Sequence, residues 1–366
     1  MNKLIYLDNA ATTPICDAAK KAMIWHIGDF GNPSSAHELG YKARMLIEDA
    51  RARIAKCINA EPNEIYFTSG GSEANTWALH GRSSWASAIE HHSVAALRLY
   101  TTINNSGIVS VNDLEQLIRK PIGYKLDIIS CMSVNNEIGT IQPIKNLAQM
   151  AHHNGFLFHT DAVQSIGHIP VDVKDIKCDM LSASGHKFGA PKGVGFLYIR
   201  DGLYMKPLIY GGKQEKSLRG GTENILGIIA MAAALEDSIE HMEERNKHIK
   251  SLRDDLMFNL IKDDGIIING SINPNERVSS NINVQIKGVK GEDVVSMCDE
   301  YGLCISAGSA CNEGVETPSH VLKAIGLTDK EALSSVRITI GHQNTFEEID
   351  KAAKIIKDVI TILRKY

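Results

Sequence analysis

The sequence has no C-x-x-C pair, few aromatics, no basic excess and no apolar run long enough to cross a bilayer. Each shortage excludes a class of protein. Seven cysteines in 366 residues form an odd count without paired spacing, so neither a disulfide-stapled secreted fold nor a zinc ribbon is expected. A formal net charge of −4 argues against a nucleic-acid surface, which would be strongly basic. The longest apolar stretch, ILGIIAMAAAL at 225–235, is far shorter than the roughly 20 residues of a membrane helix and reads as a buried helix. Asp8 interrupts the amino-terminal residues too early for a signal peptide. Internal repeats and low-complexity tracts are absent as well. A soluble, cytoplasmic protein is expected, with no membrane partner and no direct nucleic-acid partner.

What is present is an alternation of short apolar runs with helical patterns. EIYFTS (64–69), LDIISCMSV (126–134), GFLFHTD (155–161), CDMLSASG (178–185) and VGFLYI (194–199) are strand-like. EANTWALHGR (73–82) and IKNLAQMAHHNG (144–155) between them are helix-like. This pattern predicts an α/β fold with a mainly parallel sheet covered by helices. A long amphipathic helix is predicted over 238–261, with Ile249, Leu252, Leu256 and Leu260 on one face. Beyond it, NINVQI (281–286), GEDVVSMCDEYG (291–302) and VRITIG (336–341) have an α+β texture. Thr345 and Glu348 form a capping box before the last helix. The length suits two domains. The expected division is a large domain over 15–256 and a smaller α+β domain from 1–14 and 257–366.

Four stretches point to chemistry. In FTSGGSEAN, a strand ends, Gly70 and Gly71 turn, and Ser72 opens a helix. Free N–H groups and the helix dipole at such a point bind phosphate, although an ordinary turn with a serine cap reads the same. In FHTDAVQS, Asp161 follows an apolar strand, where a carboxylate needs a cationic partner if it is buried; a surface aspartate fits this stretch equally well. In SASGHKFGAPKG, small residues surround Lys187. Confinement lowers a lysine pKa and frees the amine for a Schiff base, whereas most lysines are simply solvated. Phosphate clamp, acid and lysine follow one another in the order of a pyridoxal phosphate site. The fourth stretch, SAGSACNEG, places Cys311 among small residues, where a reactive thiol would be kept.

These stretches belong to a longer series: YLDNAATTP, GNPSSAH, FTSGGSEAN, EHHSV, VNNEIGTIQPI, HTDAVQSIG, SGHKFGAPKGVG, LRGGTEN, GSACNEGVETPSHVLKAIG and VRITIG. Over nearly its whole length the chain resembles the cysteine desulfurases, members of the class V aminotransferase group with the type I fold of pyridoxal phosphate enzymes. The resemblance implies that Lys187 carries pyridoxal 5′-phosphate, Asp161 pairs with its ring nitrogen, Gln164 bonds its ring hydroxyl and His91 stacks on the ring. It assigns Gly71, Ser72, Ser184 and His186 to the phosphate, with Thr222 reaching the phosphate of a neighbouring subunit in a homodimer. Asn136 and Arg337 are implied to bind the carboxylate of L-cysteine. Cys311 is implied to take the sulfur as a persulfide and pass it to a protein acceptor such as a scaffold or sulfurtransferase. Iron–sulfur cluster assembly, tRNA thiolation and DNA sulfur modification are the destinations that follow.

Several positions depart from the family pattern: Lys213 in place of a glycine, Asn312 and Glu313 after the cysteine, Thr317 in place of a glutamate, and His342 where an arginine is common. They bear on the acceptor and not on the chemistry. The longer loop type matches enzymes that deliver sulfur by a mobile arm. Neither the pair His91 and His92 nor the pair His152 and His153 has metal-ligand spacing, so no metal site is expected. Cys57, Cys131, Cys178 and Cys298 read as core thiols, and Cys304 as a strand residue. The alternative activities are a selenocysteine lyase or another pyridoxal phosphate lyase or transaminase; a non-catalytic scaffold is the third reading.

Overall fold

The computed structural model describes residues 4–95, 99–101, 103–119, 125–307 and 317–365. The chain enters through β1 (Ile5–Tyr6) and two helices, α1 (Asp17–His26) and α2 (Glu38–Cys57). It then lays down β2 (Ile65–Thr68), β3 (Ser84–Ser87), β4 (Leu99–Thr101), β5 (Ile128–Ser130), β6 (Leu157–Asp161), β7 (Met180–Ser184) and β8 (Gly195–Ile199). These seven strands form one sheet in the order β2-β8-β7-β6-β5-β3-β4. Pairing is parallel from β4 through β7, while β8 runs antiparallel to both β7 and β2. Sheets of this kind are covered on both faces. Ile128, Ile129, Phe158, Leu181 and Phe196 accordingly have no exposed surface.

Two reversals bring β2 back into the direction of β6 and β7. The carboxyl ends of all three therefore lie on one edge of the sheet, where ligands of open α/β sheets bind. Helix α3 (Gly71–Leu79) starts directly from the end of β2. Its cap, Gly70, has φ 156° and ψ −173°, a region that only glycine adopts readily. A Cβ on Gly71 would meet Val163 Cγ2 at 2.7 Å. Glycine at this turn lets the start of α3 lie directly on the strand ends.

A second sheet, β12-β13-β10-β9, is built from β9 (Ile266–Ile268), β10 (Asn281–Ile286), β12 (Ser306–Ala307) and β13 (Ser335–Thr339). Between them β11 (Leu303–Cys304) pairs in parallel with β1. The apolar cluster here takes Ile5 and Leu7 from the amino terminus and Ile249, Leu252, Leu256 and Leu260 from the helix Met242–Leu260. The final helix Phe346–Leu363 begins with the capping box of Thr345 and Glu348 and supplies Ile349, Ile356 and Ile360.

The helix predicted over 238–261 runs over Met242–Leu260, while residues 238–240 end the preceding helix Ile225–Glu240, the two parted at His241. Side chains account for the break. His241 Nδ1 and Arg245 Nη1 both donate to the Asp237 carbonyl, ending the first helix where the apolar pattern gave no signal. Among the described residues no helix is long and apolar enough to cross a membrane.

The free edge of β2 is closed by a buried ion pair. Arg51 donates to Glu215 at 2.9 and 2.8 Å and to the Ile65 carbonyl at 2.6 Å, while Glu215 accepts from Phe67 N at 2.9 Å. Glu215, Lys216 and Ser217 all have positive φ, a conformation costly for non-glycine residues. The pair holds that strained turn on the sheet edge. Arg51→Ala leaves a carboxylate buried without its partner and should cost about 3–5 kcal/mol, read from urea unfolding. An unchanged midpoint would contradict this.

Candidate active site

A cavity of about 310 Å³ opens at the shared edge of β2, β6 and β7. Gly71 and Ser72 line it from the start of α3, Asp161 from the end of β6, and Ser184, His186 and Lys187 from the end of β7 and the turn after it. His91, Asn136, Gln164 and Arg337 complete the set. Residues spread from 71 to 337 thus face one space. Thr222 is exposed and does not line it. Cys311 lies outside the described residues, as do Asn312 and Glu313. Lys213 and Thr317 are exposed, and His342 lines a separate cavity of about 420 Å³ on the other side of Lys187.

The amino-terminal segment, which carries no role in the sequence reading, organises the site. Lys187 Nζ donates to the carbonyls of Ala10 and Ala11 at 2.6 and 3.0 Å, and Gln164 Nε2 donates to Ala10 O at 2.9 Å. His186 Nδ1 lies 3.2 Å from Thr12 Oγ1. Asp8 pairs with Arg337, Oδ1 to Nη2 at 2.9 Å. The Arg337 guanidinium also makes a 3.0 Å bond from Nη1 to the Asn136 carbonyl, and among the described residues its Nε is buried without a partner. Asn135, next to Asn136, is consumed by the turn, donating to Ile89 O and accepting from the N–H groups of Glu137 and Ile138. It is Asn136 that faces the cavity.

Burial, and then the Arg337 charge, push the Lys187 amine down from 10.5 to about 8, with Asp161 and Asp8 opposing. Burial and Lys187 hold His186 at about 4, so its imidazole is neutral. Loss of hydration also lowers His91, against the opposing pull of Asp161. Half-buried His168 holds the Lys187 backbone through a 2.9 Å contact from Nε2 to the carbonyl. Uptake of pyridoxal phosphate by the apoprotein needs the neutral amine. It is expected to accelerate as pH rises through about 8, followed by absorbance. Acceleration only near pH 10 would contradict the shift.

The residues of the cavity fit a phosphorylated pyridine. Asp161 is 4% exposed. Its two oxygens accept from Asn75 Nδ2 at 2.6 Å and from Val163 N at 2.9 Å, and among the described residues it forms no ion pair. A buried carboxylate held only by neutral donors suits a protonated ring nitrogen. First-turn N–H groups of α3, unused by the helix, lie beside Ser72 and Ser184 and suit a phosphate. Asn75 was not anticipated as a site residue. Its signal was its place four residues after Gly71, on the same face of α3.

Comparison with known proteins identifies the family. The model of the aminotransferase class-V family matches residues 5–352. The chain belongs to that family, whose members depend on pyridoxal phosphate. It is 40% identical to the cysteine desulfurase IscS of Methanosarcina thermophila, covering 99% of this chain and 93% of the relative. A NifS-like protein from Rickettsia africae superposes with TM-score 0.90 at 31% identity, covering 98% and 99% of the two chains. The structure of SspA in complex with cysteine matches with TM-score 0.78 at 35% identity, covering 93% and 99%.

Proposed function

We infer that the protein is a pyridoxal phosphate-dependent cysteine desulfurase, in which Lys187 moves the substrate's protons and Cys311 receives its sulfur. The observation that carries the reading is the convergence of Lys187, Asp161 and Arg337 on one cavity, alongside relatives that bear this name.

The bound cofactor supplies an electron sink for the substrate's Cα, with Asp161 as counter-charge to its ring nitrogen. Lys187 would hold the cofactor, and its amine would be the base beside Cα; an amine near 8 is matched to working pH. Gly71, Ser72, Ser184 and His186 hold the phosphate, Gln164 the ring hydroxyl, and His91 covers the ring. Asn136 and Arg337 take the α-carboxylate, a planar guanidinium being suited to that group. The Cys311 thiolate then attacks the substrate sulfur. An S–S bond forms, the Cβ–S bond breaks and Cβ gains a proton. L-cysteine and an enzyme thiol thus become L-alanine and a persulfide, with no outside oxidant.

Arg337→Ala is expected to raise KM for L-cysteine about 10²-fold with a smaller loss in kcat, because a buried charge pair is broken. Arg337→Lys should not restore it, since a single ammonium cannot reproduce the fork. An unchanged KM in steady-state assays would remove Arg337 from the carboxylate site.

The working unit is proposed to be a homodimer in which Thr222 serves the partner's phosphate, and the two domains to divide within the helix Met242–Leu260. Exposed Trp25 and Phe30, at 84% and 82%, and Tyr204 and Tyr210, at 75% and 84%, support a covered surface. All six cysteines among the described residues are free, which supports a reducing compartment such as the cytoplasm. The sulfur is proposed to pass to a protein acceptor for iron–sulfur cluster assembly, which fits the IscS-named relatives. Alanine and sulfide appearing from L-cysteine plus a reductant test the reading; a chain that yields neither is not a desulfurase.

A further inference from the structure

Glu137 has no part in the roles assigned so far. It sits between Asn136, which faces the cavity, and Ile138 of an apolar cluster. Its N–H is tied to Asn135 Oδ1, and its carbonyl accepts from Asn281 and Asn283 Nδ2 of β10. The side chain points to a different element. Glu137 Oε2 accepts a 2.5 Å bond from Ser319 Oγ. Ser319 caps the helix His320–Ala324 by accepting from the N–H groups of Val321 and Leu322. Its hydroxyl proton is directed to Glu137.

That short helix packs on the cavity wall. Val321 and Leu322 join Ile89, Met132 and Ile138 in one cluster. His320 contacts the Glu90 carbonyl at 2.9 Å and lies against the His92 ring at 4.9 Å, next in sequence to His91. Burial pushes the Glu137 carboxyl up to about 7, opposed by Ser319, Arg337 and His92. A group this poorly hydrated gains much from a short bond to a hydroxyl. Ser319 follows Cys311 closely in the chain, and on the other side Ser306 of β12 pairs with Arg337. Ser319, after Cys311 in the chain, is thus held by Glu137, and Ser306, before it, by the strand of the carboxylate arginine.

We propose that Glu137 is a positioning residue for the sulfur-transfer step, fastening the Ser319 end of the Cys311 segment beside the carboxylate site through the Glu137–Ser319 hydrogen bond. The inference rests on the desulfurase reading and deepens it. It separates two steps of one reaction: proton movement at Cα depends on Lys187, across the cavity, while sulfur transfer depends on where the Cys311 segment is held.

The test uses the holoenzyme and two readouts. Exchange of the Cα hydrogen of L-alanine in deuterated water reports the Lys187 step, and persulfide formation on Cys311 by mass spectrometry reports transfer. In Glu137→Ala, persulfide formation is expected to fall at least about tenfold, while exchange stays within about twofold of wild type. Glu137→Gln keeps an acceptor oxygen and should restore transfer. Ser319→Ala removes the donor and should reproduce the split if Glu137→Ala folds poorly by its melting curve. Equal losses in both readouts, normal transfer in Glu137→Ala, or no rescue by glutamine would each overturn the proposal. Absence of persulfide from the wild type itself would instead take down the desulfurase reading on which it stands.

Discussion

Lys187→Ala is expected to lower alanine formation from L-cysteine by at least about 10³-fold, since a positioned acid–base group contributes 10²–10⁴ and this one also holds the cofactor. Among the described residues no other amine lines the cavity, so none of them stands in for it. His91 and His186 are both held below their ordinary values by burial, and His186 is turned to Thr12. The variant should fold, because removing a buried amine relieves the desolvation that lowers it to about 8. Alanine release at a rate near wild type, in protein freed of contaminating enzyme, would show that the proton is moved elsewhere.

The second large effect concerns Cys311→Ala. The variant should take up pyridoxal phosphate and exchange the alanine Cα hydrogen as wild type does, because those steps rest on Lys187, Asp161 and Arg337. Sulfide release should fall at least about 10³-fold for want of a nucleophile. The remaining cysteines are poor substitutes. Cys131, Cys178 and Cys298 are buried, with Cys298 pushed up to about 12, and half-buried Cys57 to about 11. Cys304 is held on β11 beside β1, and Cys16 caps α1 through Sγ. Normal sulfide release from this variant would mean that the acceptor thiol has been misassigned.

Much of the architecture was legible because burial on both faces imposes continuous apolar runs. The strands β5 through β8 and β10 lie within the segments read as strands. The capping box at Thr345 was legible because its two residues act on each other locally. Long-range polar partnerships left no such mark. Nothing in the sequence pairs Asp8 with Arg337, 329 positions away, or Arg51 with Glu215. The break at His241 was hidden because the apolar pattern runs on while side chains end the helix. At the site, residue types and order pointed to the chemistry, whereas the backbone carbonyls of Ala10 and Ala11 that hold Lys187 have no side-chain signature at all.

The most direct measurement is mass spectrometry of the wild-type holoenzyme after incubation with L-cysteine in the absence of reductant. The expected result is one added sulfur, about 32 Da, on the peptide that carries Cys311, removed by a thiol and accompanied by an equal amount of alanine. The added mass on any other cysteine, or alanine formed with no added sulfur on Cys311, would contradict the assignment of sulfur transfer to that residue.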